Sequence, residues 1–228
     1  MQLVLTTELL LEAYKQGLFP MAQSAHSKYI HWVCPELRGQ LPIADLKISR
    51  SLQKIVKRQT MRSVFYTIRI NTAFEQVIDG CARKMPDRPE TWINGQIREA
   101  CVRMHREGHV HSVECWQGEE LVGGLYGLAI GAAFFGESMF SIQPNASKVA
   151  LVHLCARLWR GGFTLLDTQF VNNHLQQFGV YELRYEEYIK ILREAAKTPA
   201  DFLLPGTSEA ELIARYFKMR DDEKIYGE

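Results

Sequence analysis

The sequence predicts an α+β protein in which a small N-terminal lobe packs on a mixed, antiparallel-rich sheet covered by helices. Three observations carry that prediction. From Val110 onward HVHSVECW, LVGGLYGLAIG and AAFFGESMF read as three consecutive strands, separated by a QGEE turn and a glycine break, which makes an antiparallel meander. A long apolar helical stretch, ASKVALVHLCARLWR, and a short buried strand, LLDTQ, follow it, so helices must cover the sheet. Ahead of both, residues 18–42 hold Pro20, Pro35 and Pro42 and show little periodicity, which sets the first forty residues apart. The expected division is a lobe at 1–40, a body at 41–200 and a peripheral tail at 201–228.

Taken in order, Thr6 or Thr7 is placed to cap a helix through LLLEAYKQ, with Gly17 as its stop. The next segment reads as irregular apart from a short strand at YIHWV. SRSLQKIVKR is a helix capped by Ser49, and SVFYTIRI has the β-branched and aromatic content of a strand. Thr72 with Glu75 matches a capping box for AFEQVIDGCAR, and Asn94 caps a helix that ends at Gly108. After the meander, Asn145 is placed to cap the apolar helix, which Gly161–Gly162 closes. VNNHLQQFG is a short helix and YEEYIKILREAAK an amphipathic one. Ser208 and Glu211 form a second capping box, for a last helix in the tail. A bent antiparallel sheet with one helix after the meander resembles the N-acetyltransferase (GNAT-like) fold, a likeness that does not fix function.

Composition removes several classes of protein. The 228 residues are 46% hydrophobic and 23% charged, a globular rather than a disordered mix. The longest apolar run, Leu121–Phe135, is broken by Gly123, Gly124, Gly127 and Gly131 and falls short of the ~20 residues of a membrane helix. Five cysteines without a CxxC are expected as reduced thiols. The reading is a cytoplasmic protein, monomeric and without a membrane partner. Net charge is +1, yet seven basic residues (Lys47, Arg50, Lys54, Lys57, Arg58, Arg62, Arg69) and no acid lie between Leu46 and Arg69. Such a stretch is either a solvated helix face or a phosphate-backbone contact.

Two places are candidates for chemistry. Glu137 lies among Phe134, Phe135, Met139 and Phe140, where a carboxylate is costly to bury without a partner. It either alternates outward to solvent or floors a cleft for a cationic group. Asp167 and Gln169 share one side of a strand by period-two alternation, although a strand-end Asp is often only a turn residue. His105, His109 and His111 straddle a helix end, a glycine and a strand, which suits one tetrahedral metal site poorly. The glycines of GGLYGLAIG match no phosphate-binding fingerprint and are expected to permit close backbone approach.

The ordered strings FP (Phe19–Pro20), SRS (Ser49–Ser51), AF..VI..CA (Ala73–Ala82), TWI (Thr91–Ile93), GHVHSVE.W (Gly108–Trp116), LVGGLYG, FGESMFS, ASK.AL and LLD.Q resemble the leucyl/phenylalanyl-tRNA–protein transferase family. The likeness runs from about Leu10 to about Leu192. It implies transfer of leucine, phenylalanine or methionine from charged tRNA to the α-amine of proteins that begin with arginine or lysine, marking them for degradation by the N-end rule. It implies a GNAT-like body and no metal or nucleotide cofactor, because the aminoacyl ester is already activated. Matched position by position, Asp167 and Gln169 fall on the pair that orients and deprotonates the acceptor amine. Glu137 falls on the glutamate shaping the acceptor and aminoacyl-adenosine site, and Trp92 on an aromatic wall beside the adenosine. Leu125, Met139, Leu151 and Leu154 fall on the apolar side-chain pocket. Met21 stands where the family often has a tryptophan that stacks on adenine, and CPELR (Cys34–Arg38) stands where SP.PR is usual. Base–aromatic stacking is worth ~1–3 kcal/mol, of which a thioether recovers part. The basic stretch, through Arg50, Lys54, Lys57 and Arg58, is then expected on the tRNA acceptor stem.

Two other readings compete. An acyl-CoA-dependent N-acetyltransferase predicts a pyrophosphate loop before Asn145, which the sequence lacks. A non-catalytic tRNA- or peptide-binding module predicts binding without turnover.

Overall fold

The computed structural model describes residues 4–58, 66–83 and 90–226. The Thr6 hydroxyl accepts from the N–H of Leu9 at 3.2 Å and opens helix α1 (Thr7–Lys15). Ser49 does the same for Leu52 at 3.3 Å ahead of α2 (Arg50–Arg58), and Asn94 for Ile97 at 2.9 Å ahead of α4 (Gly95–Arg106). These three caps follow the sequence reading.

Two others differ. Helix α3 (Phe74–Ala82) has no side-chain cap, because the Thr72 hydroxyl turns to the buried carboxylate of Glu114. Glu114 also accepts from the N–H of Ala73 at 2.7 Å, from Ser112 at 2.9 Å and from the Trp116 indole at 3.1 Å. A carboxylate buried among four donors outcompetes a local box. Asn145, before α5 (Ala146–Arg160), takes a left-handed backbone (φ 66°) and makes no cap bond.

The meander forms as expected, as β5 (Val110–Gln117), β6 (Glu120–Ile130) and β7 (Ala133–Ser141). With β4 (Thr67–Ile70), β8 (Leu165–Gln169), β3 (Leu37–Gln40) and β9 (Tyr181–Arg184) it makes a seven-stranded sheet in the order β4-β5-β6-β7-β8-β3-β9. Among the described strands only β7 and β8 pair in parallel, joined through α5. Gly127 sits at the β6 irregularity, where a Cβ would lie 2.3 Å from the carbonyl oxygen of Phe135, so only glycine lets the strands close.

The proline-rich segment is more ordered than expected. β1 (Phe19–Ala22) and β2 (Ile30–Val33) form a separate antiparallel ribbon, and β3 sits inside the main sheet between β8 and β9. Residues 37–40, assigned to the lobe by sequence, therefore hydrogen-bond to the body.

Alternation along the strands divides the core between the two faces of the sheet. Phe134 packs into a cluster with α2, α5 and α8 (Glu209–Tyr226), and its neighbour Phe135 into one with α1, α3, α4 and α7 (Tyr185–Lys197). Contrary to the expectation of a peripheral tail, α8 buries Leu212, Ile213, Tyr216 and Phe217 in the first cluster. Its Glu209 binds His153 at 2.7 Å and also Arg157, both on α5. Among the histidines, His105 stacks on Phe74 (4.3 Å) and His111 on Phe202 (4.2 Å). Burial pushes His111 down to about 4. No described helix is long and apolar enough to cross a membrane.

Candidate active site

The parallel strands β7 and β8 pair only from Ala133–Leu165 to Phe135–Asp167, and beyond that point they part. The gap is the mouth of a cavity of about 390 Å³. Its floor is apolar. Leu125 and Met139 are cross-strand partners on β6 and β7, and Leu151 and Leu154 lie one helical turn apart on α5. Leu41, Leu166 and Leu175 of the short helix α6 (Asn173–Gln176) complete it. Glu137, Ser138, Thr168, Gln169, Asn172 and His174 supply polar atoms, and Met21, Trp92 and Phe170 line one side. The Ala22 N–H donates to the Trp92 carbonyl at 3.1 Å, which ties β1 to that wall.

The sequence-predicted residues Met21, Trp92, Leu125, Glu137, Met139, Leu151, Leu154 and Gln169 thus meet in one cavity. Asp167 does not reach it. Its carboxylate is fully buried, with Nε of Arg38 3.0 Å from both oxygens and Nη2 2.9 Å from Oδ2. Tyr188 donates its hydroxyl to Oδ2 at 2.5 Å, and the N–H of Gln169 donates to Oδ1 at 2.7 Å. The Arg38 guanidinium also donates to the Gly17 carbonyl at 2.7 Å and lies over the rings of Phe19 (4.7 Å) and Tyr188 (4.8 Å). Arg38 thereby locks β3 and the end of α1 to β8.

That lock has a visible result at the cavity. Gln169 takes a left-handed backbone (φ 64°), a conformation costing a non-glycine residue of order 1–3 kcal/mol. The bond from its own N–H to Asp167 stabilises that turn. Gly39 lies opposite, where a Cβ would stand 2.8 Å from the Phe170 carbonyl carbon, so the two backbones close only around a glycine. The turn aims the Gln169 amide at Glu137, and Nε2 donates to Oε1 at 3.0 Å. Tyr14 of α1 donates to the same oxygen at 2.8 Å. Burial pushes the Glu137 carboxyl up to about 7 against the pull of these two donors. A second cavity of about 20 Å³, bounded by Tyr14, Cys101 and apolar side chains, lies against Glu137 as well.

The sequence reading gave no role to Tyr14, Arg38 or Tyr188. Arg38 stood in the departing CPELR string, and that was its one signal. Tyr14 and Tyr188 sit on helices whose periodicity marks them only as core. Neither Tyr29 nor Trp32 stands in for the tryptophan that Met21 replaces: Tyr29 is 77% exposed, Trp32 pairs with Pro20, and neither lines the cavity. Of the basic stretch, Arg50, Lys54 and Lys57 stand exposed on α2. Lys57 lies 4.0 Å from Asp221 and over the Phe217 ring. Arg62 and the side chain of Arg58 lie outside the described residues.

A family profile described as "Leucyl/phenylalanyl-tRNA protein transferase" matches residues 40–193, and one for that family's N-terminal domain matches residues 4–36. A leucyl/phenylalanyl-tRNA–protein transferase of Paramagnetospirillum magneticum (strain ATCC 700264 / AMB-1) is 54% identical over 198 residues, 87% of this chain and 92% of that one. One from Nitrobacter winogradskyi is 50% identical over 92% of this chain and 94% of its own. One from Rhodopseudomonas palustris (strain HaA2) is 46% identical over 93% and 96%. A solved chain titled as a functionally unknown conserved protein from Staphylococcus epidermidis aligns with a TM-score of 0.36 at 11% identity, over 79% of this chain and 65% of that one. That last likeness supports no fold assignment.

Proposed function

The chain belongs to the leucyl/phenylalanyl-tRNA–protein transferase family, and from that premise we infer how its cavity carries out the transfer. The protein is an aminoacyltransferase that moves an amino acid from charged tRNA to the N-terminus of a protein. In our reading leucine, phenylalanine or methionine enters the leucine-lined floor, the terminal adenosine lies along Trp92 and Met21, and the acceptor amine arrives at Gln169 and Glu137. The acceptors begin with arginine or lysine, and the product is a substrate for N-end rule degradation.

The observation that carries this reading is one cavity with an apolar floor and a paired amide and carboxylate at its mouth. An apolar pocket separates side chains that differ by a methylene by only ~10–200-fold, which suits a donor set of several apolar residues. A protein α-amine has a pKa of about 7.7–8.0, so roughly a tenth or more is neutral at pH 7 and positioning does much of the work. Gln169 orients the amine, and Asp167 acts through it. The chemistry asks for no cofactor, because the ester is already activated.

The parting of β7 and β8 supports a GNAT-like body that takes in β3 and α8 besides residues 41–200, with the lobe ahead of β3 lending Tyr14 and Met21 to the site. We place the protein in the cytoplasm as a monomer, with α2 against the acceptor stem through Arg50, Lys54, Lys57 and Arg58. The test is to offer Leu-, Phe-, Met- and Arg-charged tRNA to peptides with each N-terminal residue. Transfer of the first three to Arg- and Lys-peptides alone is expected. Transfer from Arg-tRNA, or to acidic N-termini, would reject the assignment of donors and acceptors. Stabilisation by acetyl-CoA instead would favour the N-acetyltransferase reading.

A further inference from the structure

We infer that Glu137, through its Oε2, is the base that takes the proton from the acceptor's α-ammonium. The assignment rests on the transferase reading above and identifies the proton acceptor within it.

Three groups near the mouth have a basic atom to consider. Asp167 has both oxygens held by Arg38, Tyr188 and the Gln169 N–H, and it does not line the cavity. His174 lines the cavity, but burial and Lys148 pull its pKa down, away from that of an amine. Glu137 remains. Tyr14 and Gln169 both donate to Oε1, and Oε2 accepts no hydrogen bond from a described residue. The two donors fix the carboxylate plane and leave its second oxygen for a ligand. With Nε2 committed to Glu137, the Gln169 Oε1 is the acceptor for a second N–H of the same ammonium. The amine is held between a carboxylate oxygen and an amide oxygen.

The surroundings suit a base at neutral pH. Burial above all, with Asp167 adding to it, raises the carboxyl to about 7 against the opposing pull of the Tyr14 and Gln169 hydrogen bonds and of Arg38. Tyr14, Tyr126 and Cys101, on the elements packed around Glu137, have pKa values raised by burial and stay neutral. A base near 7 lies within about one unit of an α-ammonium, so proton transfer is nearly balanced, which is where general base catalysis is effective.

The step closes chemically. Glu137 takes one proton from the ammonium, and the freed nitrogen pair forms a C–N bond to the ester carbonyl carbon as the carbonyl π pair moves to oxygen. On collapse the C–O bond to the tRNA ribose breaks. The surplus proton on nitrogen passes to the leaving ribose oxygen, which becomes a hydroxyl, and the amide remains. Glu137 then releases its proton to solvent through the open mouth.

The experiment measures kcat with a saturating Arg-initiated peptide and Phe-tRNA, from about pH 6 to 8.5. Glu137→Gln should lower kcat at pH 7 by roughly 100-fold or more and then gain about tenfold per pH unit up to the amine's own pKa. Wild type should level off above its lower limb. Glu137→Ala should regain turnover with added formate in a concentration-dependent way, and Glu137→Asp should keep the wild-type profile shape. Thermal melts select the variants that fold. A rise in KM at unchanged kcat would reduce Glu137 to a binding group. A loss equal at every pH, without formate rescue, would make it structural. Either result overturns the proposal, whereas a wild-type protein that transfers nothing would overturn the premise instead.

Discussion

Removing one charge from a buried ion pair leaves the other stranded, and Asp167 with Arg38 is such a pair, 0% and 1% exposed. Asp167→Asn should therefore cost about 3–5 kcal/mol of stability and also lower kcat, because the left-handed turn at Gln169 loses its anchor. Both are measurable by urea melts and by turnover below the lowered midpoint. Gln169→Ala should lower kcat in the same direction, and the double variant should fall short of the sum. Near wild-type kcat in folded Asp167→Asn would show that the turn holds without it. Leu154→Phe narrows the cavity that Leu154 lines together with Leu125 and Met139 and should penalise phenylalanine more than leucine. The effect should be within the ~10–200-fold range typical of apolar pockets. An unchanged Phe-to-Leu ratio would remove Leu154 from the donor site. The floor was legible in the sequence because Leu125, Met139, Leu151 and Leu154 sit in strings the family resemblance aligned. Arg38 was not, since a lone arginine 129 residues from its carboxylate gives no local sign of pairing.

Helix α2 shows what an element's own pattern conveys. Leu52 and Val56 face the core one turn apart, and Arg50 and Lys54 face solvent. Reversing Arg50 and Lys54 to glutamate should raise the KM for charged tRNA and flatten its salt dependence by roughly one logarithmic unit per lost contact. An aminoacyl-adenosine donor should be unaffected, and equal loss with both donors would sink the acceptor-stem assignment. Helices and the meander were readable because apolar spacing survives over eight or more residues. The four-residue strands β1, β3 and β9 were not, because their hydrogen bonds come from partners and not from their own alternation. The Thr72 box failed for a related reason. A motif judged by local spacing lost its hydroxyl to Glu114, a carboxylate 42 residues away.

At the scale of the molecule, the C-terminal helix braces the wall that bears the pocket leucines. Glu209 holds His153 and Arg157 of α5, and Arg157 also donates to the carbonyls of Phe202 (2.9 Å) and Leu203 (3.0 Å). Glu209→Ala should lower the unfolding free energy by about 3–5 kcal/mol, since it leaves Arg157 buried without its counter-charge. Activity per folded molecule should stay within about twofold, because these side chains act on α5 as a whole and touch no substrate. A specific activity that collapsed in the folded variant would mean that α8 does more than brace.

The placement of β3 between β8 and β9 has a consequence for the order of events on the ribosome. β3 emerges early, yet its two neighbours lie some 130 to 145 residues further along the chain. Long loops must close before this strand gains anything from pairing, and contacts of that span form slowly. The Arg38 guanidinium therefore has no carboxylate to meet until most of the polypeptide has been made. An incomplete chain carries the basic helix without a transfer site, and competence arrives late in synthesis. Arrested chains ending before residue 165 should lack turnover, and those with the residues through α8 exposed outside the ribosome should acquire it, since Tyr188 and the buried face of α8 are then also in place.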